Sequence, residues 1–145
     1  MKGPVQSVVV SYFLHATEDS AKLSAAVSAM FSVTTQPNEE RMEGHHGNPI
    51  TLVRYHFTGD AAGGVLGRIS AELGTETKQR MAKSLGGLLD EHSDLYLRFD
   101  KQRLVEGSLE EGTADPVRVR VKLRGYLVRG DIAEFYSRLL FGGGG

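Results

Sequence analysis

VRVRVKLR, residues 117–124, alternates apolar and basic side chains without a break. Val117, Val119, Val121 and Leu123 take one parity, and Arg118, Arg120, Lys122 and Arg124 take the other. Successive side chains of a β-strand point to opposite faces, so this segment reads as a strand with one dry and one wet face. The valines must face the core, because burying four unpaired cations would be prohibitive. A slip of one residue in pairing would exchange the two sets. A sheet with one solvated face is characteristic of antiparallel pairing.

Working outward, Leu95, Leu97 and Phe99 alternate with Tyr96, Arg98 and Asp100, a second strand of the same kind. Residues 110–116, EEGTADP, read as a hairpin loop between the two. Residues 50–58 form a strand with Val53, Tyr55 and Phe57 on one face and Arg54 and His56 on the other. The polar run 39–44 suits an edge strand, and 45–49, HHGNP, suits a turn. Near the start, Val8, Val10, Tyr12 and Leu14 share one parity of a further strand. Thr17, Glu18 and Asp19 open a helix, the Thr17 hydroxyl as cap and the acids in the first turn, with Leu23, Ala26, Val27, Met30 and Phe31 on one apolar face. Pro37 lies beyond its end. Two more helices carry Ala62, Val65, Leu66, Ile69 and Leu73, then Met81, Leu85, Leu88 and Leu89, with Gly63 and Gly64 weakening the first. Ile132, Phe135, Tyr136, Leu139 and Leu140 mark a last helix, and residues 142–145 a flexible glycine tail. The pattern predicts the α+β class, a mostly antiparallel sheet packed against helices on one face, in a single domain over 1–141.

Composition limits the chemistry. The 145 residues include no cysteine, which excludes disulfides, thiol catalysis and thiolate metal sites. A formal net charge of -1 gives no global field toward nucleic acid or membrane, so recognition of a polyanion must rest on a local patch. The apolar stretch 8–14 is too short to span a bilayer. With a weak basic start and no small-residue cleavage site, a cytoplasmic location is expected.

The basic strand is the strongest physical feature. Same-face residues lie about 6.6 Å apart along a strand, so Arg118, Arg120, Lys122 and Arg124 would form a rail for a phosphate backbone. A solvated outer face, or an edge guarded by charge, explains the same residues. Tyr96 and Arg98 share the open side, with Arg54 and His56 extending it. A tyrosine among arginines is a stacking platform of the kind single-stranded RNA uses, or an ordinary cross-strand aromatic contact. Among the five histidines, His45 and His46 are adjacent, and His15 lies near Glu18 and Asp19, but no metal-ligand spacing is present. No cofactor, metal or enzymatic motif is expected. Gly63, Gly64 and Gly67 lack the Lys-Ser/Thr of a phosphate-binding loop. The alternative from another class is a metal-dependent phosphoesterase using Asp90, Glu91, Asp94 or Asp100. A third is a protein-interaction subunit docking an acidic partner on the basic strand.

Three segments taken in order carry a resemblance. His15, Ala16, Thr17, Glu18 and Asp19 come first, then Gly44, His45, His46, Gly47, Asn48, Pro49 and Ile50. Leu95, Tyr96, Leu97, Arg98, Phe99, Asp100, Lys101 and Gln102 follow. With the late basic strand, the chain resembles the archaeal family of RNA-binding, predicted exosome subunits. The resemblance implies a fold similar to the ribosomal protein that holds 5S ribosomal RNA. It also implies RNA, single-stranded or structured, as partner, and exosome subunits as further partners. Residues His45, Gly47, Asn48, Arg98, Asp100, Lys101 and Gln102 match its motifs. The chain departs from the pattern at His46, where an aromatic is usual, and at Leu104 to Gly107, where an aromatic-Gly pair is usual. The expected RNA contacts are therefore Tyr96, Arg98, Lys101, Arg118, Arg120, Lys122, Arg124, His45 and Asn48. For Asp100, Lys101 and Gln102 the alternative is a chain turn, with Asp100 pairing Lys101 or capping backbone.

Overall fold

A computed structural model describes residues 5–44, 46–124 and 129–141. Its strands are β1 (Val5–His15), β2 (Asn38–Glu43), β3 (Pro49–Thr58), β4 (Leu95–Phe99) and β5 (Val117–Leu123). They pair antiparallel in one sheet of order β2-β3-β1-β5-β4. The helices are α1 (Ser20–Phe31), α2 (Gly59–Glu72), α3 (Thr75–Lys83), α4 (Leu85–Leu88), α5 (Lys101–Val105) and α6 (Arg129–Tyr136), followed by a π-helical turn, Ser137–Phe141.

The alternation at the basic strand sorts the side chains as its pattern predicts. Val117, Val119, Val121 and Leu123 are buried, while Arg118, Arg120 and Lys122 are exposed. Val8, Val10 and Tyr12 of β1, Val53, Tyr55 and Phe57 of β3, and Leu95, Leu97 and Phe99 of β4 join the valines in one core. Helices cover that face: α2 lies against β1 and β3, burying Ala62, Val65, Leu66 and Ile69. Leu23, Val27, Met30 and Phe31 of α1 complete the layer, and the Tyr136 hydroxyl of α6 donates to the Val121 carbonyl at 3.5 Å. Each such apolar side chain contributes about 1.5–3 kcal/mol on burial. The opposite face carries no helix among the described residues, so polar and basic side chains stand there in water.

Some local expectations change. Leu14 shares parity with Tyr12 but is only half-buried, packed against the core rather than within it. The cap of α1 is Asp19, not Thr17: its Oδ1 accepts from the Lys22 N–H at 3.0 Å. Gly63 and Gly64 lie inside an unbroken α2, where burial of its apolar stripe outweighs a propensity cost of about 1 kcal/mol each. The helix expected through Leu89 divides at Ser84, whose Oγ donates to the Arg80 carbonyl at 3.0 Å. Between β4 and β5 the chain is more than a hairpin loop. It forms α5, capped by Asp100, which accepts from the Arg103 N–H at 2.9 Å; capping is thus the role Asp100 takes. Residues 110–112 then run along the outer edge of β4, with Asp100 N–H on Glu110 O at 2.7 Å and Gly112 N–H on Arg98 O at 3.1 Å. A Cβ on Gly112 would lie 2.6 Å from the Asp100 Cα, so only glycine allows this approach. The turn 46–49 joins β2 to β3, with Gly47 at φ +75°. His45 and the tail 142–145 lie outside the described residues.

Candidate nucleic-acid interface

Strand register places the outward side chains in rows across the sheet. One row runs Arg54, Ser11, Arg118, Arg98, and the next runs His56, Val9, Arg120, Tyr96. A third holds Thr58, Ser7 and Lys122. Arg98 and Arg118 therefore stand directly opposite each other on neighbouring strands. Like charges in that position repel by about 0.2–1 kcal/mol. Among the described residues no carboxylate pairs with Arg98, Arg118 or Lys122. Arg118 instead lies over the Phe13 ring, 5.4 Å from its centroid. Arg54 pairs with Glu40 of β2 at 3.3 Å.

Arg120 differs from its neighbours on β5. Its Nε and Nη2 both donate to Asp94 Oδ2, at 3.1 and 2.8 Å. That hydrogen bond is the main reason its guanidinium holds its proton more tightly than usual. Arg120 also lies 5.6 Å from the centroid of the Tyr96 ring. The Tyr96 phenol titrates above its ordinary value: burial raises it most, the Arg120 charge works against that, and the neighbouring Asp90 and Asp94 carboxylates add to the rise. Asp90 accepts from the His92 and Asp94 N–H groups, each at 2.9 Å. Burial works to raise the Asp90 pKa, yet these N–H groups and the Tyr96 hydroxyl outweigh it and hold the carboxyl below its usual range.

Lys101 is not on this face. Its Nζ donates to the Phe13 carbonyl at 2.6 Å, to both Glu18 oxygens at 3.1 and 3.3 Å, and to Asp115 Oδ2 at 2.7 Å. Only 11% of the side chain is exposed. His15 joins the same network, Nε2 to Asp115 Oδ2 at 3.1 Å, while its N–H donates to Glu18 at 2.9 Å. Ligand atoms of His15, Glu18 and Asp115 lie within 4.8 Å of one another, the spacing a metal ion needs. The Lys101 ammonium supplies the positive charge among them. Beside the network, Glu18, Lys22, Asp100, Gln102 and Asp115 line a cavity of about 420 Å³.

The profile of a family described as RNA binding matches residues 7–123 of this sequence. The chain belongs to this RNA-binding family. An RNA-binding protein of Pyrococcus abyssi is 29% identical over 136 residues, covering 87% of this chain and 88% of that protein. A crystal structure from Archaeoglobus fulgidus matches with a TM-score of 0.81 at 27% identity, over 93% of this chain and 99% of that one. A structure from Methanothermobacter thermautotrophicus matches with a TM-score of 0.77, also at 27% identity, over 95% and 99%. The fold is thus shared with both of these structures across nearly the whole chain.

In this member of the RNA-binding family the structure brings together Tyr96, Arg98, Arg118, Arg120 and Lys122, and places Lys101 and Asn48 elsewhere, while His45 lies outside the described residues. Arg124 follows the end of β5 and is half-buried. Asn48 sits in the β2–β3 turn, six residues and so about 20 Å along β3 from Arg54. Lys101 belongs to the ion-pair network. The acids Asp90, Glu91, Asp94 and Asp100 do not converge as a ligand set: Asp90 closes a turn, Asp94 holds Arg120, Asp100 caps α5, and Glu91 is exposed beside His92. Sequence reasoning missed Phe13 and Asp94 as parts of the face. Phe13 was available from its parity with Val9 and Ser11. Asp94 gave no such signal, since it stands in a carboxylate-rich turn.

Proposed function

We propose that the uncovered sheet face binds RNA through its phosphates, with Arg98, Arg118 and Lys122 as the contacting cations. The observation that carries this is the cross-strand pair Arg98 and Arg118, two like charges held opposite each other with no acid between them. A fold keeps such a pair at a cost, and a polyanion lying on the face turns that repulsion into attraction. Membership of an RNA-binding family names the polyanion. An acidic protein surface would engage the same cations, and competition with RNA separates the two partners. Service to an exosome, in the cytoplasm, is the cellular role that the family resemblance adds; co-purification of exosome subunits with the tagged chain, lost on ribonuclease treatment or not, tests it.

Three cations on phosphates of a single strand give a slope of about -2.1 in log affinity against log salt. Raising salt from about 50 to about 200 mM then weakens binding roughly 20-fold. Arg98→Ala and Arg118→Ala should each make the slope shallower by about 0.7. Salt titrations that leave the slope unaltered in both variants would sink the proposal.

A further inference from the structure

We propose that the Tyr96–Arg120 pair is the seat of one unstacked nucleobase, so that the RNA on this face is single-stranded where it crosses β4. The inference rests on the reading of this face as an RNA interface and adds to it the class of RNA.

Tyr96 and Arg120 are direct register partners on the outward side, ring and guanidinium 5.6 Å apart. The guanidinium is tied at its polar end, with Arg120 Nε and Nη2 both donating to Asp94 Oδ2. Asp94 is 3% exposed and is the one buried charged residue among those described. Removing a carboxylate from water costs several kcal/mol, and a surface arginine on a strand needs no such anchor to stay folded. What the anchor achieves is orientation: a half-exposed guanidinium is held in one plane beside the Tyr96 ring. Flat, immobilised groups are what an unpaired base stacks on, and the entropy of ordering them is lost before the ligand arrives. The anchor also neutralises Arg120, so it does not compete for phosphate. Arg98, two residues along β4, stands about 6.6 Å away to take the phosphate next to a seated base. In a duplex the bases are stacked on one another and offer no free face to such a platform.

The test compares a short single-stranded RNA with the blunt duplex made from it, by fluorescence anisotropy at fixed salt. Tyr96→Ala should weaken the single strand about 5- to 150-fold, leave its salt slope unchanged, and shift duplex affinity less than about twofold. Tyr96→Phe keeps the ring and should stay within about threefold of wild type on the single strand. Should Tyr96→Ala melt at lower temperature, Tyr96→Leu replaces it, filling the space without an aromatic face. Equal loss on both RNAs, or no loss on either, overturns the base seat. The double variant Arg98→Ala/Arg118→Ala reports on the phosphate reading separately: it should weaken both RNAs, and wild-type binding by that variant overturns the parent proposal instead.

Discussion

Lys101 and the Arg98–Arg118 pair are cations of the same chain in opposite circumstances. Lys101 is almost enclosed, its ammonium shared by Glu18, Asp115 and a backbone carbonyl. The two arginines stand in water, facing each other, with no acid at hand. One arrangement stabilises the chain, tying the end of β1 to the start of α5 and to the residues that lead into β5. The other costs stability and leaves charge available to a ligand. What separates them is where carboxylates from distant parts of the chain arrive, not the local sequence around either cation.

The largest effect that would break this comparison is on Lys101. Lys101→Met should destabilise the fold by about 2–4 kcal/mol, below the full cost of a buried pair because Asp115 is partly exposed. Urea unfolding measures it, and RNA affinity of the folded protein should stay within about twofold. A stable Lys101→Met protein with a shallower salt slope would put Lys101 on the RNA and erase the distinction. Next in size is Gly112→Ala, which forces residues 110–112 away from β4 and should cost about 1–3 kcal/mol by crowding alone. Because that segment leads to Asp115, hydrogen exchange should rise at the Lys101 corner and not along β1 and β5 beneath the arginines. The smallest effect has the opposite sign. Arg98→Ala relieves the cross-strand repulsion and should raise stability by about 0.2–1 kcal/mol while weakening RNA. Loss of stability there would mean that the pair is already compensated.

The sheet was legible because period-two alternation acts residue by residue: Val117 to Leu123 and Leu95 to Phe99 each state their own face. The same logic puts Tyr96, Arg98, Arg118, Arg120 and Lys122 together on one face. Helix α5 was hidden because five residues make too little of a turn pattern, and its cap, Asp100, reads equally well as a loop acid. The partners of Lys101 were hidden by sequence distance, Glu18 lying 83 positions away. Arg120 illustrates the same limit on the open face, since nothing in its alternation announces that Asp94 neutralises it. Strand periodicity reveals which way a side chain points and is silent on what meets it there.

The order of the strands has one more consequence, for kinetics. Glu39, Glu40 and Glu43 lie on β2 at one edge of the sheet, while the unpaired arginines lie on β5 and β4 at the other. Four strand intervals, about 19 Å, separate the outermost strands. That distance exceeds the Debye length of about 8 Å at physiological salt, so an approaching polyanion feels one end of the sheet at a time. The proposed RNA contact is therefore set by the local charge of the open face, not by the net charge of -1. If the open face binds RNA as proposed, the association rate should fall with added salt although the molecule as a whole is slightly acidic.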